Sequence, residues 1–292
     1  MLARASAAGF AAGTCVGIVG WGGTQIAVPA LTHPAIGNLS QLAASAVSVC
    51  SQSVAASSAC ANYYSKGAVD VQIAATVALP AIVGARAGVH LARRLQPDVH
   101  ALVFNGGSLL LMPTHFIVQR WRQKQQAQQP SPPQTQQQEL PPPQLPTALS
   151  TLSSTTHVAG GGFGLVSFGL VSGALSSLMG VGGGPLAVSF LTVTTTLPHH
   201  LIQGTAACGV VPGMLAAGAF HLLHGKVPLA ACAAVTAGSA AGGIFGAQVA
   251  LGLSEDHLRQ CYMASLLLLG GRSFVAAGRN LQAVAARRAV RK

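Results

Sequence analysis

Eight long apolar runs dominate this chain and decide which solvent it can fold in. Each run has the roughly 20 mostly apolar residues that an α-helix needs to cross a bilayer. Only 7% of the 292 residues are charged, whereas soluble domains carry about 25%. In lipid the backbone must satisfy its own hydrogen bonds, so such runs fold as helices. The sequence predicts an all-α polytopic membrane protein. The runs are Ala5–Leu31, Leu39–Tyr64, Ala68–Ala92, Val99–Val118, Gly160–Leu197, Leu201–Leu223, Val227–Leu253 and Leu258–Ala277.

The runs form two copies of one pattern. The segment Gly20–Gln25, with the sequence GWGGTQ, recurs 160 residues later as Gly180–Pro185, with the sequence GVGGGP. Ser45 and Thr205 match at the same offset, and a second block of glycines matches at an offset of 158. A self-match over this length indicates two homologous structural units. We therefore predict about eight transmembrane helices in two four-helix repeats.

A stretch rich in Gln and Pro separates the two copies. Such a composition cannot bury a core, and it predicts a disordered linker with polyproline II character. The predicted organisation is a first transmembrane repeat at 1–120, the linker at 121–157, a second transmembrane repeat at 158–279 and a basic tail at 280–292.

Each copy carries a glycine cluster that interrupts its first apolar run. Glycine inside a helix costs about 1 kcal/mol relative to alanine, so three close together favour a break. Unwound backbone at membrane depth must line a cavity or be buried in protein. The half-helix that follows presents free N–H groups and a partial positive charge, an arrangement that receives anions. Pro185 suits the first turn of such a half-helix. Spaced glycines such as Gly9 and Gly13 instead indicate close helix packing.

The clusters leave two topologies open. If each broken segment crosses the membrane once, both copies have the same orientation in the membrane. If each is a re-entrant half-helix, the crossing count changes and the copies become inverted. Two alternatives also remain for the matched hydroxyls of Ser45 and Thr205, which either bind an oxyanion at the break or bond back to a carbonyl of their own helix.

Several further polar residues are candidates for the same site. Gln203 stands next to Thr205 in sequence, Gln25 replaces a proline in the first copy, and Arg86 is a charge inside an apolar run, where charges usually mark function. The predicted substrate-binding residues are Gly20, Gly22, Gly23, Gln25, Ser45, Arg86, Gly180, Gly182, Gly183, Gly184, Pro185, Gln203 and Thr205.

Other chemistries have little support in the sequence. There is no nucleophile elbow, phosphate-binding loop or HExxH motif, so we expect neither an enzyme nor an ATP-driven pump. His221 and His224 lack a third ligand, and no metal or cofactor is predicted. We read these histidines as lying at a loop edge. The six cysteines lie in apolar runs without CxxC pairs and are interpreted as small apolar residues rather than as a disulfide framework.

The net charge of +11 is distributed over loops and the tail. No basic face with interleaved aromatic residues is present, so nucleic acid is not expected as a partner. If each run crosses the membrane once from a cytoplasmic N-terminus, most Arg and Lys residues, Arg4 and Lys66 among them, lie inside. The pair Arg93–Arg94 falls outside in this arrangement. Both termini are predicted to be cytoplasmic, with the identity of the membrane left open.

The sequence Gly180–Val188, with Gly173 before it and Gln203–Ala206 after it, resembles the TauE/SafE family of sulfite exporters. The resemblance extends over nearly the whole chain except the linker and the tail. It implies a permease for a small anionic solute, sulfite or an organosulfonate, working by secondary transport through a site between the two repeats. The alternatives are a non-transporting scaffold or receptor that uses the Gln/Pro linker, and an intramembrane enzyme that uses the histidines.

Overall fold

The computed structural model describes residues 2–20, 23–95, 99, 161–179, 183–195, 197–224 and 227–290. The regular structure in this part of the chain is helical. Its helices are α1 (Leu2–Val19), α2 (Gly23–Thr32), α3 (Gln41–Ser65), α4 (Val71–Arg94), α5 (Gly161–Met179), α6 (Gly184–Thr194), α7 (His199–His224), α8 (Leu229–Gly252) and α9 (Glu255–Val290).

Five of the described helices are long and apolar enough to cross a membrane, namely α1, α4, α5, α7 and α8. Helix α3 is long enough but rich in serine, and it lies at the centre of the bundle against α1, α2, α7 and α8. The predicted run Val99–Val118, apart from Val99, and the predicted linker lie outside the described residues. The last helix, α9, reaches Val290 and so continues past Ala277, where the sequence predicts the end of the last apolar run.

The first apolar run folds into two antiparallel helices rather than one span. Helix α1 ends at Val19 and α2 begins at Gly23. The chain then turns back, since a Cβ on Gly23 would lie 2.7 Å from the carbonyl oxygen of Ala12. The Arg4 guanidinium donates a hydrogen bond of 3.3 Å to the carbonyl of Ala35, so α2 returns to the end of the bundle where α1 began. We call α1 and α2 the first hairpin.

Helices α5 and α6 form a second hairpin of the same kind. The rings of Phe168 and Phe190 stack with their centroids 4.2 Å apart. Gly183 precedes α6, and a Cβ on it would lie 3.8 Å from the carbonyl oxygen of Ser172. The run Gly160–Leu197 is therefore also divided, and both divisions fall at the glycine clusters.

The second hairpin enters the bundle from the end opposite to the first. Cys60 is bonded to Cys208, and Cys50 lies against Gly218, so α3 and α7 run antiparallel. Close contacts of α4 with α5 and with α7 show that these three helices run in the same direction. Helix α1 runs parallel to α3, so α1 starts at the end of the bundle where α4 ends. Helix α5 starts at the opposite end.

This arrangement corrects the expected placement of the charges. Because the first hairpin returns to its starting end, Arg93 and Arg94 lie at the same end of the bundle as Arg4. Lys66 lies at the opposite end, contrary to the sequence expectation. The described acids, Asp70, Glu255 and Asp256, also lie at that opposite end, where Asp70 caps α4 and Glu255 accepts hydrogen bonds from the His199 and His200 amides.

Glycine allows helices from distant parts of the chain to pack with almost no space between them. Helix α1 packs along α8 and α4 along α5. A Cβ on Gly13 would lie 2.2 Å from the Ser239 carbonyl oxygen, and one on Gly84 would lie 2.0 Å from that of Leu170. The outer surface is apolar, with Leu79, Val83 and Phe163 more than half exposed. Such a surface suits lipid rather than water.

Candidate functional site

The tip of the first hairpin contacts α6 inside the bundle. Gly20 has a φ of +73°, in the left-handed region that favours glycine, and it turns the chain out of α1. A Cβ on Gly20 would lie 3.4 Å from Cγ2 of Val188, which is fully buried in α6. The first glycine cluster therefore lies against the half-helix that follows the second cluster. Gly22, Gly180 and Gly182, which the sequence assigns to the site, lie outside the described residues.

Four buried polar side chains lie on α2 and on the neighbouring helix α3. Thr24 is 1% exposed, Ser45 3%, Ser48 0% and Gln52 1%. The Oγ1 of Thr24, the two serine Oγ atoms and the Oε1 of Gln52 find no hydrogen-bond partner among the described residues. We call these four residues the polar cluster. Leaving one buried polar group unpaired costs about 1–3 kcal/mol, which makes these four residues candidates for a ligand site.

Helix α3 directs its part of the polar cluster at the first hairpin. Ser45, Ser48 and Gln52 are spaced i, i+3 and i+7, which places them on one helix face. That face meets α2, because a Cβ on Gly23 would lie 2.1 Å from Gln52 Oε1. Only glycine fits between Gln52 and the backbone of α1 here.

Other serines of α3 behave differently from Ser45 and Ser48. Each donates a hydrogen bond to a carbonyl three or four residues earlier in its own helix, which is the usual arrangement for a helical serine. These serines are Ser51, Ser53, Ser57 and Ser58. The structure gives Ser45 and Ser48 no such bond, so their hydroxyls stay available to a ligand.

The second break has more apolar surroundings. A cleft beside Gly183 is lined by Ser172, Ser176, Val210 and Met214, and it is too narrow to hold a water molecule. The Ser176 hydroxyl is buried there without a partner among the described residues. Helix α6 begins at Gly184 without a side-chain cap and with proline in its first turn, as the sequence predicts. This arrangement leaves the positive end of the α6 dipole in the core.

Arg272 reaches the first hairpin from α9. Its guanidinium donates a hydrogen bond to the carbonyl of Gln25. In a regular helix that carbonyl would bond the amide four residues on, but this position is Pro29, which has no N–H. Arg272 therefore occupies an acceptor that proline leaves open and places a cation beside α2. From sequence, Arg272 is predicted to lie at the membrane interface near the end of the last run, and the proline four residues after Gln25 was the signal for its contact with α2.

The family model for the sulfite exporter TauE/SafE matches residues 5–273. The protein belongs to the TauE/SafE sulfite exporter family. Comparisons with curated proteins and with solved structures give no match. This TauE/SafE protein is thus a multi-pass membrane protein of a transporter family.

Two predicted site residues of this TauE/SafE chain have other partners in the structure. The Thr205 hydroxyl accepts a hydrogen bond of 2.8 Å from the Asp70 amide, at the start of α4. Oε1 of Gln203 lies 3.1 Å from the Tyr63 hydroxyl, which also lies 2.9 Å from the Gly17 carbonyl oxygen. Both residues join helices near the end of the bundle where α7 begins.

Arg86 lies on the exposed face of α4. His221 is buried in the last turn of α7, which ends at His224. Within the described residues, no three His, Cys, Asp or Glu side chains come together as a metal site.

A disulfide joins the parts of the TauE/SafE chain that precede and follow residues 121–157. Cys60 of α3 is bonded to Cys208 of α7. The expectation that the cysteines form no disulfide is therefore wrong for this pair. Sequence spacing contained no signal, because the partners are 148 residues apart and meet only when α3 and α7 pack.

Proposed function

We propose that this protein exports a small anion, sulfite or an organosulfonate, by secondary transport through a site between its two copies. The contact between Gly20 and Val188 carries the proposal, because it places the first glycine cluster against α6, the helix that follows the second cluster. The substrate site lies at Gly20–Gln25 with Ser45 and at Gly180–Pro185. Helix breaks at repeat interfaces are the usual location of transporter binding sites.

The directions of the helices support an inverted repeat. Under the 160-residue offset, α1 corresponds to α5 and α3 to α7. Helices α3 and α7 run antiparallel, and the two hairpins enter from opposite ends. An inverted pair relates two states that open to opposite sides of the membrane by similar rearrangements, as alternating access requires.

The charges of the described residues support a cytoplasmic N-terminus. Arg4, Arg93 and Arg94 share one end of the bundle, and the described acids share the other. Basic residues concentrate on the cytoplasmic side of membrane proteins. In this orientation the first hairpin enters from the cytoplasm and the second from the opposite side.

Uptake of radiolabelled sulfite into proteoliposomes tests the function. A Cβ on Gly183 would already lie 3.0 Å from Val210, so Gly183→Leu fills the second break. We expect the initial rate to fall at least about tenfold, since the site must stay open for the solute. Gly252→Leu is the matched control, because no atom lies within 4 Å of a Cβ there. Equal rates for both variants, or a wild-type rate equal to that of empty liposomes, would refute the proposal.

Deleting residues 125–150 separates transport from the scaffold alternative. A permease keeps its sulfite flux without this segment, because its site lies in the helices. A scaffold that works through the linker has no flux to keep and loses its function on deletion.

A further inference from the structure

Gln52 is the one fixed acceptor of the polar cluster. Its Oε1 points toward Gly23, while its Nε2 lies 3.5 Å from the Ser51 hydroxyl. The hydroxyls of Thr24, Ser45 and Ser48 can each donate or accept a hydrogen bond, whereas an amide oxygen only accepts. A ligand that satisfies all four groups must therefore donate a hydrogen bond to Gln52 Oε1, and it can accept from the three hydroxyls.

The electrostatic surroundings of the polar cluster favour an anion. The start of α2 carries the partial positive charge of a helix N-terminus, about half an elementary charge. Arg272 adds a cation at the Gln25 carbonyl. The described acids lie at one end of the bundle, as the caps or first turns of helices. The ligand is thus an anion whose oxygens accept from the hydroxyls.

We propose that the polar cluster recognises a small oxyanion that carries its own hydrogen-bond donor, and that Gln52 accepts the hydrogen bond from this donor. The sulfonate-type oxygens accept from Thr24, Ser45 and Ser48, and an O–H of the ligand donates to Gln52 Oε1. This inference rests on the proposed function and adds the feature that selects among anions. Ser48 and Gln52 are its specificity-determining residues, and neither was predicted from sequence.

The second copy lacks this recognition. Under the 160-residue offset, Thr24, Ser48 and Gln52 correspond to Gly184, Cys208 and Pro212. The cysteine is engaged in the disulfide, and the glycine and proline have no polar side chain. The donor-bearing end of the solute therefore binds to the first copy, and its remaining part faces Val188 of the second.

Two monoanions of the same size and charge test the proposal. Hydroxymethanesulfonate and ethanesulfonate differ by a hydroxyl in place of a methyl group. Binding of each to the purified full-length protein is measured by isothermal titration. We expect the wild type to bind hydroxymethanesulfonate at least about tenfold more tightly, because ethanesulfonate leaves the buried Gln52 acceptor unpaired. Equal affinities, or tighter binding of ethanesulfonate, would overturn the proposal.

Variants at Gln52 separate recognition from general damage. Gln52→Leu removes the acceptor, and we expect it to abolish the preference while ethanesulfonate affinity stays within about threefold of the wild type. An equal loss for both ligands would show that Gln52 has only a structural role. Ser57→Ala is the matched control on the same helix, since its hydroxyl bonds to the Ser53 carbonyl, and it should keep the preference. If Gln52→Leu does not fold, the wild-type comparison decides alone.

Flux measured in parallel distinguishes the two proposals. Discrimination between the two ligands without sulfite transport would refute the export function and leave the site standing. Sulfite transport without discrimination would refute the role of Gln52 and leave the export function standing.

Discussion

The contact between α1 and α8 yields a quantitative prediction for Gly13→Ala. The added Cβ would lie 2.2 Å from the Ser239 carbonyl oxygen and 2.8 Å from its Cα, whereas ordinary contacts begin at 3.4 Å. The obstacle is backbone, so no side chain can rotate away, and the helices must separate by about 1 Å. The hydrogen bond from the Ser239 hydroxyl to the Gly9 carbonyl, 3.0 Å long, would then be lost.

The expected loss of stability for Gly13→Ala follows from two contributions. Overpacking of a close contact costs about 1–3 kcal/mol. The lost interhelical hydrogen bond adds about 0.6–1.7 kcal/mol in a membrane protein. These losses sum to about 2–5 kcal/mol, and the higher helix propensity of alanine offsets about 1 kcal/mol, so we expect a net destabilisation of about 1–4 kcal/mol. Thermal unfolding of the purified protein in detergent, followed by gel filtration of the remaining folded fraction, measures the effect.

Two further variants make the test of this packing decisive. Gly252→Ala adds the same methyl group where no atom lies within 4 Å, and it should unfold at or above the wild-type temperature. Gly242→Ala meets the Phe10 carbonyl oxygen at 2.2 Å across the same interface. The double variant with Gly13→Ala should lose less than the sum of the single losses, because one separation relieves both clashes. Equal stability of Gly13→Ala and Gly252→Ala would refute the reasoning.

Two predictions concern single cross-links in the bundle. Arg272→Leu should destabilise the wild-type protein by about 1–3 kcal/mol. The loss should be much smaller in a Pro29→Ala background, since alanine returns an amide to the Gln25 carbonyl. Thermal unfolding in detergent measures both losses, and equal losses in the two backgrounds would contradict this prediction. After protease cleavage within residues 121–157, the two fragments should migrate together on a denaturing gel without reductant and separate on a gel with reductant. In the Cys60→Ser or Cys208→Ser variant, the fragments should separate on both gels. Separation of the wild-type fragments without reductant would show that the disulfide is absent.

The sequence alone determined the solvent and the location of the helix breaks. Apolar runs of membrane-spanning length satisfy their backbone only as helices, whatever they pack against. Glycine clusters weaken a helix locally, so the ends at Val19 and Met179 and the starts at Gly23 and Gly184 could be anticipated from residues 20–25 and 180–185. These are properties of single segments.

Packing between distant segments was decided only by the tertiary structure. Ser45 and Thr205 match in sequence, yet the Ser45 hydroxyl is buried without a partner among the described residues and the Thr205 hydroxyl accepts from the Asp70 amide. In a bilayer the lipid is as apolar as the interior, so hydrophobic periodicity does not tell which helix face meets a partner. The return of the first hairpin, the cluster around Gln52 and the Cys60–Cys208 bond all depend on such choices. Glycine selects the packed faces because it lets two helix backbones approach closely. The lack of a side chain distinguishes one helix face from another only where the two helices are in contact.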